Sequence, residues 1–305
     1  MNTQSDELPD SPAPEVLSPT RPLFWSIRRE LWENRSIYIA PVVVASIFLF
    51  GFLISCIGLN RRMRTLPTLD LMKQHQLVVR PYDTAAFMIL LTGFLVGVFY
   101  CLDALQSERR DRSILFWKSL PVSDRTTVLS KASIPLVVLP LLVLTITVAL
   151  QIVMMMVSTL VLLGNSPGLI ALWSEVKFVQ TTLAMVYGLI VIALWHAPIY
   201  GWLLLLSAWA KRSVLLWVVL PPLVISIFEK MVFHTTHFGL LLKDRLIGFF
   251  KEAFDASTQG HAAINPLNEL TPGNYLLTPG LWIGLLFAAA FFAAAIRLRR
   301  NREPM

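Results

Sequence analysis

Residues 103–131 read DALQSERRDRSILFWKSLPVSDRTTVLSK, a strongly charged stretch lying between two long apolar ones. Such a segment is held just outside a membrane while its flanks cross it. Glu108 and Arg112 stand four apart, the favourable acid-before-base order on a helix face. Ile114, Leu115, Phe116 and Trp117 follow, bulky apolar side chains that a solvated loop has no reason to carry. Pro121 stops the helix, and Ser123 is placed to cap the next one. A short helix with a charged half and an aromatic tip suits the groove of another protein. The plainer alternative is a linker helix resting on lipid headgroups.

Outward from this stretch the chain is mostly apolar. Of 305 residues, 55% are hydrophobic and 15% charged, with mean hydropathy +0.64, whereas soluble domains run nearer a quarter charged. The expected fold class is therefore an all-α polytopic membrane protein with six transmembrane helices. Their expected extents are about 37–59, 85–105, 132–163, 178–210, 214–228 and 281–296. Pro81 and Asp83 read as preceding the second span, in which Gly93 and Gly97 permit close helix approach. Pro135 and Pro140 are expected to bend the third span and Pro198 to kink the fourth.

The segments around the spans also carry patterns. Residues 1–20, acidic and rich in Pro and Ser, read as a disordered cytosolic tail. Pro22 to Arg35 puts Phe24, Ile27 and Leu31 on one helical face and adds Trp25 and Trp32, which suits a helix in the membrane interface. Trp173 to Lys177 reads as lying at the outer interface. Between the last two spans, an amphipathic helix is expected over 238–254 and turns at 265–267 and 271–274.

Net charge +7 and pI 9.6 do not point to nucleic acid, because the basic residues flank apolar spans instead of forming one basic domain. Six crossings put both ends on one side. With the N-terminus in the cytosol, sixteen of the 26 basic residues lie inside: four from Arg21 to Arg35, six from Arg109 to Lys131, then Lys211 and Arg212, and four from Arg297 onward. Arg61, Arg62 and Arg64 run locally against that bias, but the total favours cytosolic termini.

Little in the chain suggests bond-making chemistry. It has no Gly-x-x-x-x-Gly-Lys-Ser/Thr phosphate cradle, so any use of ATP requires a separate subunit. Cys56 and Cys101 sit in apolar runs as small buried hydrophobes. His234 and His237, with His261 further on, lack a carboxylate or cysteine at ligand spacing, and no metal site is expected. Asp103 reads as a charge at a helix end. His196 is the one ionisable residue near the centre of an expected crossing, where it either lines a translocation path or is neutral and bonded between helices. Gln151 is similar, as interhelix glue or path.

The run Glu-Arg-Arg-Asp-Arg-Ser-Ile-Leu-Phe-Trp-Lys-Ser-Leu-Pro-Val-Ser-Asp, residues 108–124, resembles the first cytoplasmic loop of ABC-2 type permeases. The commoner family form has Gly-Thr where this chain has Arg112 and Ser113; the Leu-Pro-Val-Ser ending is kept. The resemblance implies an ABC-2 transmembrane domain over 21–305, in a multi-pass protein of the bacterial cytoplasmic (inner) membrane. It implies a coupling helix seated on an ABC ATP-binding subunit, carried by Glu108, Arg109, Arg110, Asp111, Arg112, Ile114, Leu115, Phe116 and Trp117. It further implies a second permease copy or a paralogous permease as partner, ATP and magnesium bound by the ATPase subunit alone, and short extracellular helices that help close the outer gate. A membrane-embedded protease or lipid-modifying transferase would need paired carboxylates, a histidine cluster or a nucleophile at membrane depth. A secondary transporter would need two similar halves. The sequence displays neither signature.

Overall fold

Six runs of apolar residues fold as helices long and apolar enough to cross a membrane. The computed structural model describes residues 20–64, 70–110, 123–254, 267 and 270–301. Helix α1 (Thr20–Glu33) precedes the first crossing, α2 (Ser36–Cys56), and a short α3 (Leu59–Arg64) follows it. Next come α4 (Leu71–Asp103) and α5 (Gln106–Arg110). One continuous rod is built from α6 (Asp124–Ser133), a π-helical segment (Ile134–Val138) and α7 (Leu139–Val161). Helix α8 (Ser166–Glu175) leads into α9 (Phe178–Trp209), and α10 (Val214–Phe233) is the fifth crossing. Then α11 (His237–Ile247), α12 (Phe249–Ala253) and α13 (Pro272–Leu277) bring the chain to α14 (Pro279–Asn301). Among the described residues the one strand-like contact is an isolated bridge between Phe254 and Leu270.

Several boundaries differ from expectation. The second crossing is not confined to 85–105: α4 is continuous from Leu71, with Pro81 and Asp83 inside it. Its first part is held by packing, since Val78 and Tyr82 are buried against α2 and α7 and His75 Nδ1 lies 2.8 Å from Glu175 of α8. The rod of the third crossing starts at Asp124, well before 132, because Ser123 Oγ accepts the Thr126 N–H and opens a helix that then runs on without a break. Pro135 sits in the π segment, where the regular hydrogen-bond ladder is already interrupted. Helix α10 extends to Phe233, five residues past the expected end. The expected single helix over 238–254 is two, parted at Gly248. Residues 271–274, expected as a turn, instead open a short helix, Pro272–Leu277, after Thr271. The fourth span, expected at 178–210, is Phe178–Trp209.

The core divides into three apolar clusters. One joins α2, the first part of α4, α7 and α8 around Phe52, Tyr82, Ile89 and Met154. A second joins α1, the start of α2, the end of α4, the π segment and the last third of α9 around Ile37, Tyr100, Ile134 and Leu204. A third sits around Val191 and Trp195 of α9, where α12, Tyr275 and Leu281 pack. Gly93 and Gly97 allow the close approach their spacing predicts: a Cβ on Gly93 would meet Val143, and one on Gly97 would meet Leu139 and Tyr200. Large apolar side chains cover the outside, among them Ile47 and Phe50 on α2 and Leu220, Phe228 and Met231 on α10. Such surfaces suit lipid.

Candidate functional site at the charged end of the bundle

Four elements far apart in sequence meet where α4 ends. Helix α1 turns the stripe Ile27, Glu30 and Leu31 inward, with Glu30 buried and the two apolar side chains half-buried. Helix α6 buries Val128, Lys131 and Ala132. Helix α14 carries Leu281, Gly284, Ala288, Ala295 and Arg299 along its buried side, a helical spacing that turns the last arginine inward. Ser207 Oγ accepts the N–H groups of Leu105 and Gln106, each at 3.1 Å, which fixes the α4–α5 junction against α9 and aims Glu108 into the same space.

The result is a buried ionic joint. Lys131 Nζ lies 2.8 Å from Glu30 Oε1 and 3.2 Å from Glu108 Oε1. Arg29 Nη2 bridges the same two oxygens, at 3.0 and 3.2 Å, and its Nε lies 3.3 Å from Glu33. Arg299 Nη2 is 3.0 Å from Glu108 Oε2, and its Nη1 is 3.6 Å from Asp124. The Tyr100 hydroxyl donates to Glu30 Oε2 at 2.9 Å. Glu30 is 1% exposed and Lys131 2%, so each charge depends on its partners and not on water. Burial pushes the Glu30 carboxyl up, but Lys131, Arg29 and the Tyr100 hydroxyl outweigh it and hold the group below its ordinary range. The arrangement fastens helices together.

Among the expected coupling residues, Glu108 is at the centre of this joint, and Arg110 is exposed on α5. Arg109 belongs to the same helix; Asp111, Arg112, Ile114, Leu115, Phe116 and Trp117 lie outside the described residues, as do residues 1–19 of the tail expected over 1–20, whose last residue, Thr20, opens α1. Asp103 is exposed at the end of α4. Sequence reasoning missed Glu30, Arg29, Lys131 and Arg299 as partners. The available signal was an acid or base at the apolar spacing of its own helix, as with Glu30 between Ile27 and Leu31.

His196 and Gln151 are elsewhere. Gln151 is buried in the first cluster, its Nε2 3.5 Å from the Tyr82 carbonyl. His196 is buried in α9, with Nδ1 2.9 Å from the Ile192 carbonyl and Nε2 3.2 Å from the Leu246 carbonyl of α11. It belongs to a clasp that holds α11, α12 and the start of α13 and α14 against α9. In that clasp Trp195 Nε1 donates to the Asp244 carbonyl at 3.3 Å, and the Tyr275 hydroxyl to the Val191 carbonyl at 3.1 Å. The Arg245 guanidinium lies 4.8 Å from the Trp195 ring centroid, donates to the Gly280 carbonyl at 3.1 Å and fills the space beside Gly284. Among the described residues no group of three or more His, Cys, Asp or Glu is arranged to hold a metal ion.

Comparison of the chain with protein-family models, with curated proteins and with solved structures finds no match. The class that the helices define is an all-helical, multi-pass membrane protein.

Proposed function

We propose that this chain is the transmembrane permease subunit of an ATP-driven exporter of the ABC-2 type. The single observation that carries the reading is the ionic joint: the helix leading into residues 111–122 is bound through Glu108 to α1, α6 and α14. A push on that segment is therefore delivered to the rod of the third crossing and to the last crossing together, through paired charges that do not slide. That is what a coupling lever requires, since a partner's closure on ATP must tilt the spans between inward- and outward-open states.

In this reading Glu108 to Trp117 form the coupling helix, with Phe116 and Trp117 as the anchor in the ATPase groove. Helix α1, whose Phe24, Trp25 and Trp32 are exposed with Arg28 stacked between the two indoles, lies in the membrane interface. Both termini are cytosolic, the membrane is the bacterial inner membrane, and α11 to α13 form the outer helical segment. A second permease completes the pathway. ATP and magnesium belong to the partner.

The test is purification of the chain from its own membrane. A P-loop ATPase should accompany it and hydrolyse MgATP, and replacing Phe116 and Trp117 with alanine should release that subunit while the chain remains inserted. Full transport with no nucleotide-hydrolysing subunit attached overturns the reading.

A further inference from the structure

The geometry points to a binding site for the phosphate of an anionic phospholipid at the turn between α9 and α10. It needs only the membrane setting of the helices, not the ATPase partnership. The turn is Ala210-Lys211-Arg212-Ser213, made tight by Ser213 in the left-handed region at φ 50°. An open niche of about 430 Å³ is lined by Trp209, Ala210, Lys211, Arg212 and Trp217. The two indoles meet edge to face, centroids 4.9 Å apart at 88°, and form its apolar wall.

Three properties select the ligand. Lys211 and Arg212 are exposed and neighbouring, and no carboxylate among the described residues pairs with either, so the niche carries two uncompensated positive charges. No acceptor among the described residues takes the backbone N–H of Lys211, Arg212 or Ser213, which leaves three donors on the turn beside those charges. Leu215, Leu216, Val219 and Leu220 then continue the surface away from the turn as exposed apolar side chains, a track for acyl chains. Bonds from Ser207 to the α4–α5 junction put the turn at the level where α4 ends and charge begins. A phosphate would sit on the cationic turn, with its glycerol against the indoles and its chains along α10. The membrane boundary is where Trp and basic residues meet headgroups.

The experiment is thermal unfolding of the full chain in neutral detergent with dioleoyl phosphatidylglycerol, dioleoyl phosphatidylcholine or inorganic phosphate added separately. Phosphatidylglycerol should raise the melting temperature saturably, and the other two should not. The Lys211→Gln/Arg212→Gln variant, altered only at exposed side chains, should melt unchanged without lipid and bind phosphatidylglycerol about thirtyfold more weakly, roughly tenfold or less for each cation removed. An equal shift with phosphatidylcholine or with inorganic phosphate overturns the lipid assignment, as does an undiminished shift in the double variant. Native mass spectrometry gives a second readout: one retained phosphatidylglycerol should be lost in the variant, and its retention there overturns the site.

Discussion

The two regions that tie this bundle together use different chemistry. At the charged end, carboxylates meet ammonium and guanidinium groups at 2.8–3.2 Å across α1, α5, α6 and α14. Around Trp195 and His196, α11 and residues 275–280 are held by side-chain donors on backbone carbonyls and by one guanidinium over an indole. Removing one partner from a buried charge pair strands the other and costs about 3–5 kcal/mol, while losing one bond to a carbonyl costs about 1–3 kcal/mol. Joint and clasp thus differ in which one yields first.

That contrast can be broken in several ways. The largest effect is expected from Lys131→Met, which removes the more deeply buried of the two cations shared by Glu30 and Glu108 and leaves Arg29 alone to bridge them. Denaturant unfolding in detergent should show a loss of about 3–5 kcal/mol, with part of it recovered in Lys131→Met/Glu30→Gln. A cost no greater than that of a clasp variant would remove the distinction. Next comes Gly284→Ala, whose methyl takes the space of the Arg245 guanidinium and should cost about 1–3 kcal/mol by overpacking. In an Arg245→Ala background the same change should be close to neutral, and a cost that persists there would locate the strain elsewhere. Tyr275→Phe removes a single bond to the Val191 carbonyl and should cost about 1 kcal/mol by the same measurement.

Acid offers a smaller and sharper comparison. The folded Glu30 carboxyl titrates below its ordinary value, so its contribution is fully present above the unfolded value and fades as pH falls through the folded one. Between about pH 5 and pH 3 the natural chain should therefore lose more stability than Glu30→Gln. Parallel acid melts of the two proteins that coincide would show that Lys131 and Arg29 do not stabilise the ionised form.

The long elements were legible because apolar runs bounded by charges have one reading in a membrane. Residues 178–210 were expected as one span, and Phe178–Trp209 form one helix, part of a run long and apolar enough to cross a membrane. The start of α4 was not legible, because Pro81 reads as a stop when its neighbours are unknown. Val78 and Tyr82, buried against helices more than twenty residues away, carry the helix through it. The joint was still less visible: Glu30 and Lys131 are 101 residues apart, and Glu108 and Arg299 are 191 apart. Each alone looks like the charge that ends a span, and only packing brings them together. His196 was open between a path and an interhelix bond, and its two carbonyl neighbours place it in the clasp.

The π-helical segment Ile134–Val138 has a consequence for the angular phase of the rod that contains it. A π turn inserts one residue into the helical count, so everything before it is rotated about 100° relative to a regular helix. Lys131 stands on one side of that offset, and Leu139 and Val143, which fit against Gly97 and Gly93, stand on the other. Both sets are buried at once only because the extra residue reconciles their azimuths. Deleting exposed Val137 would wind the segment into an ordinary helix and swing the lysine out of line with Glu30, uncoupling two contacts without altering a residue in either.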